Sequence, residues 1–257
     1  MAQKLDILVV EDEAEQIKQV DSLLRTRVER GAINGFQIAS TLRQAIKLLE
    51  KRGYAGIISD VFFPSDLEDD MEIRRSLSNM LKERYLDDQR PLAPYWLRAI
   101  KSWEEGKELA PMGVKIAEYA LAERMPIFLC TNTNHHGYKT QAVYDWANMG
   151  RVRIIDKPES LTDGGEGQAK TKEWSMAYFG LAYLIEGISS GRFFIDKNQI
   201  DWGLGDHGPL FTKVDGLFLN ADCYREESKL KEKVKEYCEE DSTLKDAFAK
   251  FCSGMFV

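Results

Sequence analysis

The sequence predicts an α/β protein built on a doubly wound parallel sheet. Four short runs are predominantly apolar, which is typical of strands buried on both faces: LDILVV, AGIIS, PIFLC and VRIID. Between them, apolar residues recur at helical spacing, and glycines end several of these stretches. Strands that alternate with helices in this way favour a parallel sheet with helices on both faces.

The N-terminal part is predicted to hold three strands and two helices. Leu5 to Val10 forms the first strand and leads into a helix over about residues 13–30. A second helix lies between Ser40, its predicted cap, and Gly53, which ends it. The second and third strands are predicted over residues 36–39 and 55–59.

A charged segment over residues 65–111 interrupts the alternation after Pro64. Its apolar residues recur at helical spacing over 67–86 and again over 95–107, and prolines separate the two stretches. The segment is therefore predicted to be a helical hairpin inserted after the third strand.

The alternation then resumes and continues to about residue 190. The elements predicted there are helices over 114–124, 140–149 and 172–189 and strands over 127–130 and 152–156. Residues 191–222 are rich in glycine and match no motif, whereas residues 224–251 have the pattern of one or two charged helices. The predicted organisation is one domain over 1–190, with a mainly helical extension over 191–257 packed on it.

Composition excludes several classes of protein. The chain has 257 residues, of which 44% are hydrophobic, and a net charge of −7, whereas nucleic-acid-binding surfaces are normally basic. The longest apolar stretch falls short of the ~20 residues of a membrane span, and the N-terminus turns acidic too early for a signal peptide. Four cysteines without CxxC pairing indicate reduced thiols and a cytoplasmic location.

Five polar side chains lie at the C-terminal ends of the apolar runs. In open α/β sheets ligands bind in the crevice at the carboxyl ends of the strands, so these side chains are expected to converge. Three carboxylates in one crevice repel each other, and a hard divalent cation such as Mg²⁺ relieves the repulsion. A hydroxyl and an ammonium beside them suit a phosphoryl group. The five residues are Glu11, Asp12, Asp60, Thr131 and Lys157.

Each residue also has a simpler interpretation when it is taken alone. Glu11 and Asp12 could cap the first helix, where carboxylates favour the positive end of the dipole. Asp60 could be a turn residue, and a lysine before a proline is uninformative by itself.

The joint pattern resembles the receiver domain of two-component response regulators. The resemblance covers residues 4–64 and 112–190 and rests on VVEDE, ISDVFFP, FLCTN and IIDKP in this order. It implies a five-stranded flavodoxin-like sheet of order 2-1-3-4-5. It also implies that the chain is a phosphoprotein of a two-component phosphorelay, which a histidine kinase or a histidine phosphotransfer protein phosphorylates. The chain would catalyse only this transfer onto itself. The signal then passes to an unknown downstream protein by protein–protein contacts, with neither nucleic acid nor a membrane as a partner.

The resemblance and the chemistry together suggest a role for each residue. Asp12 and Asp60 are expected to ligate Mg²⁺ directly and Glu11 through a water molecule. The resemblance adds the backbone carbonyl of Phe62 to the metal site. It makes Asp60 the phosphoacceptor, with Thr131 and Lys157 in contact with the phosphoryl group.

Two departures from the family keep other functions open. Ile154 stands three residues before Lys157, where receivers usually carry Tyr or Phe, and Asn132 follows Thr131, where the residue is usually small. Both favour a pseudo-receiver that binds or scaffolds without phosphorylation. A magnesium-dependent phosphohydrolase helped by His135 or His136 is a weaker alternative. Haloacid-dehalogenase-like enzymes carry their nucleophile in a DxD motif on the first strand, whereas the first strand here ends in Glu-Asp-Glu.

Three other patterns are weaker candidates. The segment 164–171 imitates a phosphate-binding loop, but Ala169 replaces its glycine and the segment does not follow a strand directly. A cluster of acidic and histidine residues in DWGLGDHG could bind a metal, although glycine-rich turns attract Asp anyway; its members are Asp201, Asp206 and His207. The tryptophans Trp96, Trp103 and Trp202 are expected in the core rather than at binding surfaces.

Overall fold

The described part of the chain comprises seven strands and six helices in a computed structural model. It covers residues 6–51, 53–87, 94–132, 139, 141–143, 146–147, 153–155, 172, 174–189, 194–196 and 199–201. The strands are β1 Asp6–Val10, β2 Gly35–Ala39, β3 Gly56–Asp60, β4 Ile127–Cys130, β5 Arg153–Ile155, β6 Phe194–Asp196 and β7 Gln199–Asp201. The helices are α1 Ala14–Glu29, α2 Leu42–Lys51, α3 Asp70–Asp87, α4 Pro94–Glu104, α5 Met112–Ala122 and α6 Trp174–Ser189.

A parallel sheet with the order β2-β1-β3-β4 forms the centre, and this confirms the predicted α/β class. The three-residue strand β5 pairs with β4 in the same direction. Val10 is in register with Ala39 on one side and Ser59 on the other, and Asp60 is in register with Cys130. The carboxyl ends of β1, β3 and β4 therefore lie side by side.

Helices pack on the sheet because its strands are apolar on both faces. The side chains from Ile7 to Val10 are at most 2% exposed, which requires cover above and below. Helices α1 and α6 contact each other, as do α2 and α5, and each pair also contacts the sheet. Right-handed crossovers from β1 to β2 and from β2 to β3 place α1 and α2 on opposite faces.

The inserted segment contains the two predicted helices, α3 and α4, which pack against each other. Apolar side chains of both are fully buried in the core shared with the sheet; they include Leu77, Leu81, Trp96 and Trp103. The core positions of Trp96 and Trp103 confirm the prediction for these two tryptophans. Helix α4 ends at Glu104 rather than near residue 107, because Gly106 has a left-handed φ of 67° and its N–H bonds the carbonyl of Trp103.

The cap of α2 is Thr41, and the prediction of Ser40 was wrong by one residue. Thr41 Oγ1 accepts the Gln44 N–H at 3.2 Å, and the Gln44 side chain in turn accepts the Ser40 N–H at 2.9 Å. The exchange satisfies two backbone donors at the start of the helix.

The predicted C-terminal extension lies mostly outside the described residues. Half of the predicted helix over 140–149 is described, and these residues, 141–143 and 146–147, are helical. Within the extension, β6 and β7 form a small antiparallel pair that the sequence had not indicated. Among the described helices, none is both long enough and apolar enough to cross a membrane.

Candidate functional site

Three carboxylates converge where β1 and β3 end, as predicted. Glu11 and Asp12 follow β1 directly, and Asp60 is the last residue of β3. One carboxylate oxygen from each of the three lies within 4.8 Å of the others. Glu11 is fully buried, Asp60 is 4% exposed and Asp12 is partly buried. The convergence follows from the register, because Val10 pairs with Ser59 and brings both strand ends to the same position.

Short-range hydrogen bonds fix the orientation of two of these carboxylates. Glu11 Oε1 accepts the Glu13 N–H at 3.0 Å, at the point where α1 begins. The N-cap of α1 is Glu13, and no side chain caps the helix, so the simpler interpretation of Glu11 and Asp12 as helix caps was wrong. Glu11 Oε1 bonds only the N–H of the cap residue, while Oε2 bonds Lys172. Asp60 Oδ1 accepts the Val61 N–H at 2.7 Å, which holds the carboxylate against the next peptide unit.

Gly113 brings the first turn of α5 against the backbone of Asp60. The Gly113 N–H donates to the Val61 carbonyl at 3.1 Å. A Cβ atom at this position would stand only 2.2 Å from the Asp60 carbonyl oxygen and 3.0 Å from Val61 Cα. The close approach of α5 to β3 therefore requires a glycine at position 113.

In the described part of the chain, the cation at this cluster is Lys172, which the sequence interpretation did not select. Its ammonium forms an ion pair with Asp60 Oδ2 at 2.9 Å and a second with Glu11 Oε2. The Lys172 side chain is completely buried. The only local signal was a lysine just before the apolar helix α6, and lysines commonly occupy such positions for other reasons.

Burial dominates the electrostatics of the cluster. It raises the pKa of Glu11 to about 7, an effect that the charge of Asp60 increases and Lys172 opposes. It also raises the pKa of Asp60 to about 6 against the opposing charge of Lys172, and raises the pKa of Asp12. Burial lowers the pKa of the Lys172 ammonium, but the charges of Asp60 and Glu11 outweigh it and leave this pKa raised. Among the residues that the structure describes, one ammonium thus faces three carboxylates.

The donor set fits a hard divalent cation. Asp12 Oδ1 is buried and accepts no hydrogen bond, so a coordination position on a carboxylate is already desolvated. Carboxylate oxygens are the ligands that Mg²⁺ prefers in proteins, and burial without a partner is costly for such an oxygen.

The structure also places other predicted residues near this edge of the sheet. Thr131 directly follows β4 and is 1% exposed, one residue beyond the register partner of Asp60. Asn132 is 6% exposed, with its amide nitrogen 3.5 Å from Glu13 Oε1. Ile154 lies in β5, paired with Leu129.

Several predicted residues lie outside the described part of the chain. They are Lys157, His135, His136, the segment 164–171, Trp202, Asp206 and His207. Asp201 is described only as the last residue of β7. Their predicted roles remain predictions.

Comparisons with known proteins add no relative. No protein-family model matches the chain, and searches of the curated proteins and of the solved structures gave no match.

Proposed function

We propose that this chain is a receiver-like phosphoacceptor module of a two-component phosphorelay, with a flavodoxin-like five-stranded sheet of order 2-1-3-4-5. The observation that carries the proposal is the cluster of Glu11, Asp12 and Asp60 with an ammonium at the exits of β1 and β3. Phosphoryl transfer asks a protein mainly for positioning and for neutralisation of charge, and this cluster supplies both.

In the proposed reaction a carboxylate oxygen of Asp60 attacks the phosphorus atom of a donor. A new O–P bond forms, and the bond from phosphorus to the donor atom breaks, with the electron pair leaving on the donor. A phosphohistidine imidazole or an acetate is a suitable leaving group. The product is an acyl phosphate on Asp60, as carboxylate nucleophiles give in covalent catalysis. No other turnover is proposed for the chain.

A magnesium ion fits the proposal as cofactor. Asp12 and Asp60 would hold it directly, Glu11 through water, and the backbone carbonyl of Phe62 would complete the protein ligands. When bound, the ion supplies charge neutralisation to the phosphoryl oxygens. The chain's own residues do the rest: Val61 orients the Asp60 carboxylate, and Thr131, which follows β4 at the same edge of the sheet, would offer a hydroxyl.

The proposed partners are a histidine kinase or a histidine phosphotransfer protein upstream and an unidentified protein downstream. The net charge of −7 disfavours a nucleic acid as the target. Output is therefore proposed to run through protein–protein contacts.

One observation favours a second candidate, the phosphorylation-independent pseudo-receiver. The buried Lys172 ammonium already bonds both Glu11 and Asp60, so it can act as a permanent cation in place of a metal. Asn132, where receivers usually carry a small residue, is also buried at this edge of the sheet. Such a closed site would preserve the fold as a binding module.

The experiment that separates the two candidates is phosphorylation by acetyl phosphate with Mg²⁺, read by intact-mass spectrometry. The phosphoacceptor predicts one added phosphoryl group that hydroxylamine removes, and its loss in Asp60→Asn. Asp66→Asn is a matched control, because Asp66 is exposed and its left-handed φ of 52° suits Asn. Absence of any adduct on the wild type would overturn the proposal in favour of the pseudo-receiver.

A further inference from the structure

Lys172 joins the carboxylate cluster to helix α6. Its ammonium bonds Asp60 and Glu11, while its backbone N–H donates to Gln16 Oε1 at 3.0 Å. Two residues later α6 begins with Trp174, whose indole N–H donates to the same Gln16 oxygen at 3.2 Å. A single amide oxygen on α1 therefore fixes both the lysine that enters the site and the first residue of the helix.

We infer that Lys172 is the residue that binds the phosphoryl group on Asp60, and that helix α6 responds to the state of the site through it. The inference rests on the proposed function and assigns to Lys172 the role that the family resemblance gives to Lys157. It also makes helix α6 the element that reports phosphorylation, a role that receivers usually give to an aromatic residue at the position of Ile154.

The ammonium has to move when the site is used. The Lys172 side chain is completely buried and that of Asp60 is 6% exposed, so neither a phosphoryl group nor a metal ion fits between them in the present arrangement. A cation on the carboxylates competes with the ammonium for Glu11 and Asp60. A phosphoryl group on Asp60 carries new anionic oxygens that the ammonium can follow, because lysine has a flexible stem and a compact charge.

Movement of Lys172 reaches α6 because the ammonium lies close to the buried first residue of the helix. Trp174 is 4% exposed, and the ammonium lies 5.7 Å from the centre of its ring. Helix α6 in turn packs against β3, β4 and α1. A change at the ammonium therefore alters both the surroundings of the indole and the hydrogen bonds that hold the start of the helix.

The test follows Trp174 fluorescence and phosphorylation in the same full-length samples. Mg²⁺ is added first and acetyl phosphate second. The Trp174 signal is the part of the fluorescence change that the Trp174→Phe variant lacks. The variants compared are Lys172→Met, Lys172→Arg and Lys157→Met. Lys82→Met serves as the matched control. Lys82 is also a partly buried lysine in an ion pair, with Glu104, but it lies in the inserted helix α3.

The wild type is expected to change its Trp174 fluorescence with Mg²⁺ and again on phosphorylation. Lys172→Met should reduce the phosphoryl yield about tenfold and abolish the Trp174 change, while raising the Mg²⁺ affinity about fivefold because the competing charge is gone. Lys172→Arg should recover part of the yield, and Lys82→Met should match the wild type.

Two results would overturn the inference while the proposed function stands. One is phosphorylation of Asp60 without any Trp174 change in the wild type. The other is a normal yield in Lys172→Met with loss in Lys157→Met.

If Lys172→Met fails to fold, Gln16→Leu replaces it. The inference then expects normal phosphorylation with the Trp174 change lost, and a retained change contradicts it. A wild type that takes up no phosphoryl group instead refutes the proposed function, and this the mass spectrum reports separately.

Discussion

The carboxylate cluster and the inserted helices α3 and α4 are both buried, but opposite contributions dominate their energetics. The helices bury large apolar side chains such as Trp96 and Trp103, and each Å² of apolar surface removed from water contributes about 25 cal/mol. The cluster buries Glu11, Asp60 and Lys172, and removing charges from water costs several kcal/mol per ion before pairing repays it. The insertion is thus expected to add stability, whereas the cluster is expected to reduce it.

Each region also buries polar groups. In the insertion, Arg74 is 8% exposed and fully engaged: it pairs with Asp70 at 2.5 Å and bonds the carbonyls of Trp103 and Glu108. In the cluster, Asp12 Oδ1 is buried and accepts no hydrogen bond. Buried atoms without a hydrogen bond also occur in the described part of the insertion, at Ser78 Oγ and Trp103 Nε1. The oxygen of Asp12 points to a ligand because it lies among other carboxylates.

The largest expected effect is in the insertion. Trp103→Ala should lower the free energy of unfolding by about 3–5 kcal/mol, because it removes a fully buried aromatic ring. Urea unfolding measures this, with Leu97→Ala on the same helix as control: Leu97 is 51% exposed, and its loss should stay within about 0.5 kcal/mol. Equal losses in the two variants would show that the insertion is not part of the core.

A smaller loss is expected where α5 approaches the cluster. Gly113→Ala should cost about 1–3 kcal/mol, since its methyl group forces the helix away from the Asp60 carbonyl. The phosphorylation rate should fall as well, because Val61 and the Asp60 carboxylate shift together. Gly53→Ala is the control, as no atom lies within 4 Å of a Cβ there. Unchanged stability and rate in Gly113→Ala would contradict the close approach.

A substitution inside the cluster should raise the free energy of unfolding instead of lowering it. Asp60→Asn is expected to raise the metal-free unfolding free energy at pH 8 by about 1–3 kcal/mol, because burial disfavours the charged carboxylate by about 1.4 kcal/mol per unit of pKa. Lys172 keeps Glu11 as a partner in this variant. Thermal or urea unfolding checks it, and a clear destabilisation would mean that the ion pair with Lys172 outweighs desolvation.

The smallest expected effect is a pH dependence of the metal-free protein. Glu11 and Asp60 have folded pKa values of about 7 and 6, above their ordinary values, so the folded state holds more protons than the unfolded state. The unfolding free energy should therefore fall by about 1–2 kcal/mol as the pH rises from about 6 to 7. Glu11→Gln should flatten the profile. A profile that rises over this range in the wild type would contradict the raised pKa values.

Much of the fold was predictable because its signals are local. Strands such as β1 and β4 are short apolar runs, and amphipathic periodicity marks α1 and both inserted helices. Boundaries were less predictable, as at α2, where two adjacent hydroxyl residues can cap a helix equally well and the Gln44 side chain selects Thr41.

The sequence by itself determined that Glu11, Asp12 and Asp60 meet, since the pattern of strands and helices already implies that parallel strand ends share an edge. Only the tertiary structure decided which cation meets them. Lys172 is 161 residues from Glu11 along the chain, and its position depends on how α6 packs against α1 and on a hydrogen bond to Gln16. No periodicity or local motif encodes a contact of that range, because it depends on the packing of whole elements and on the cost of leaving buried carboxylates without a counter-charge.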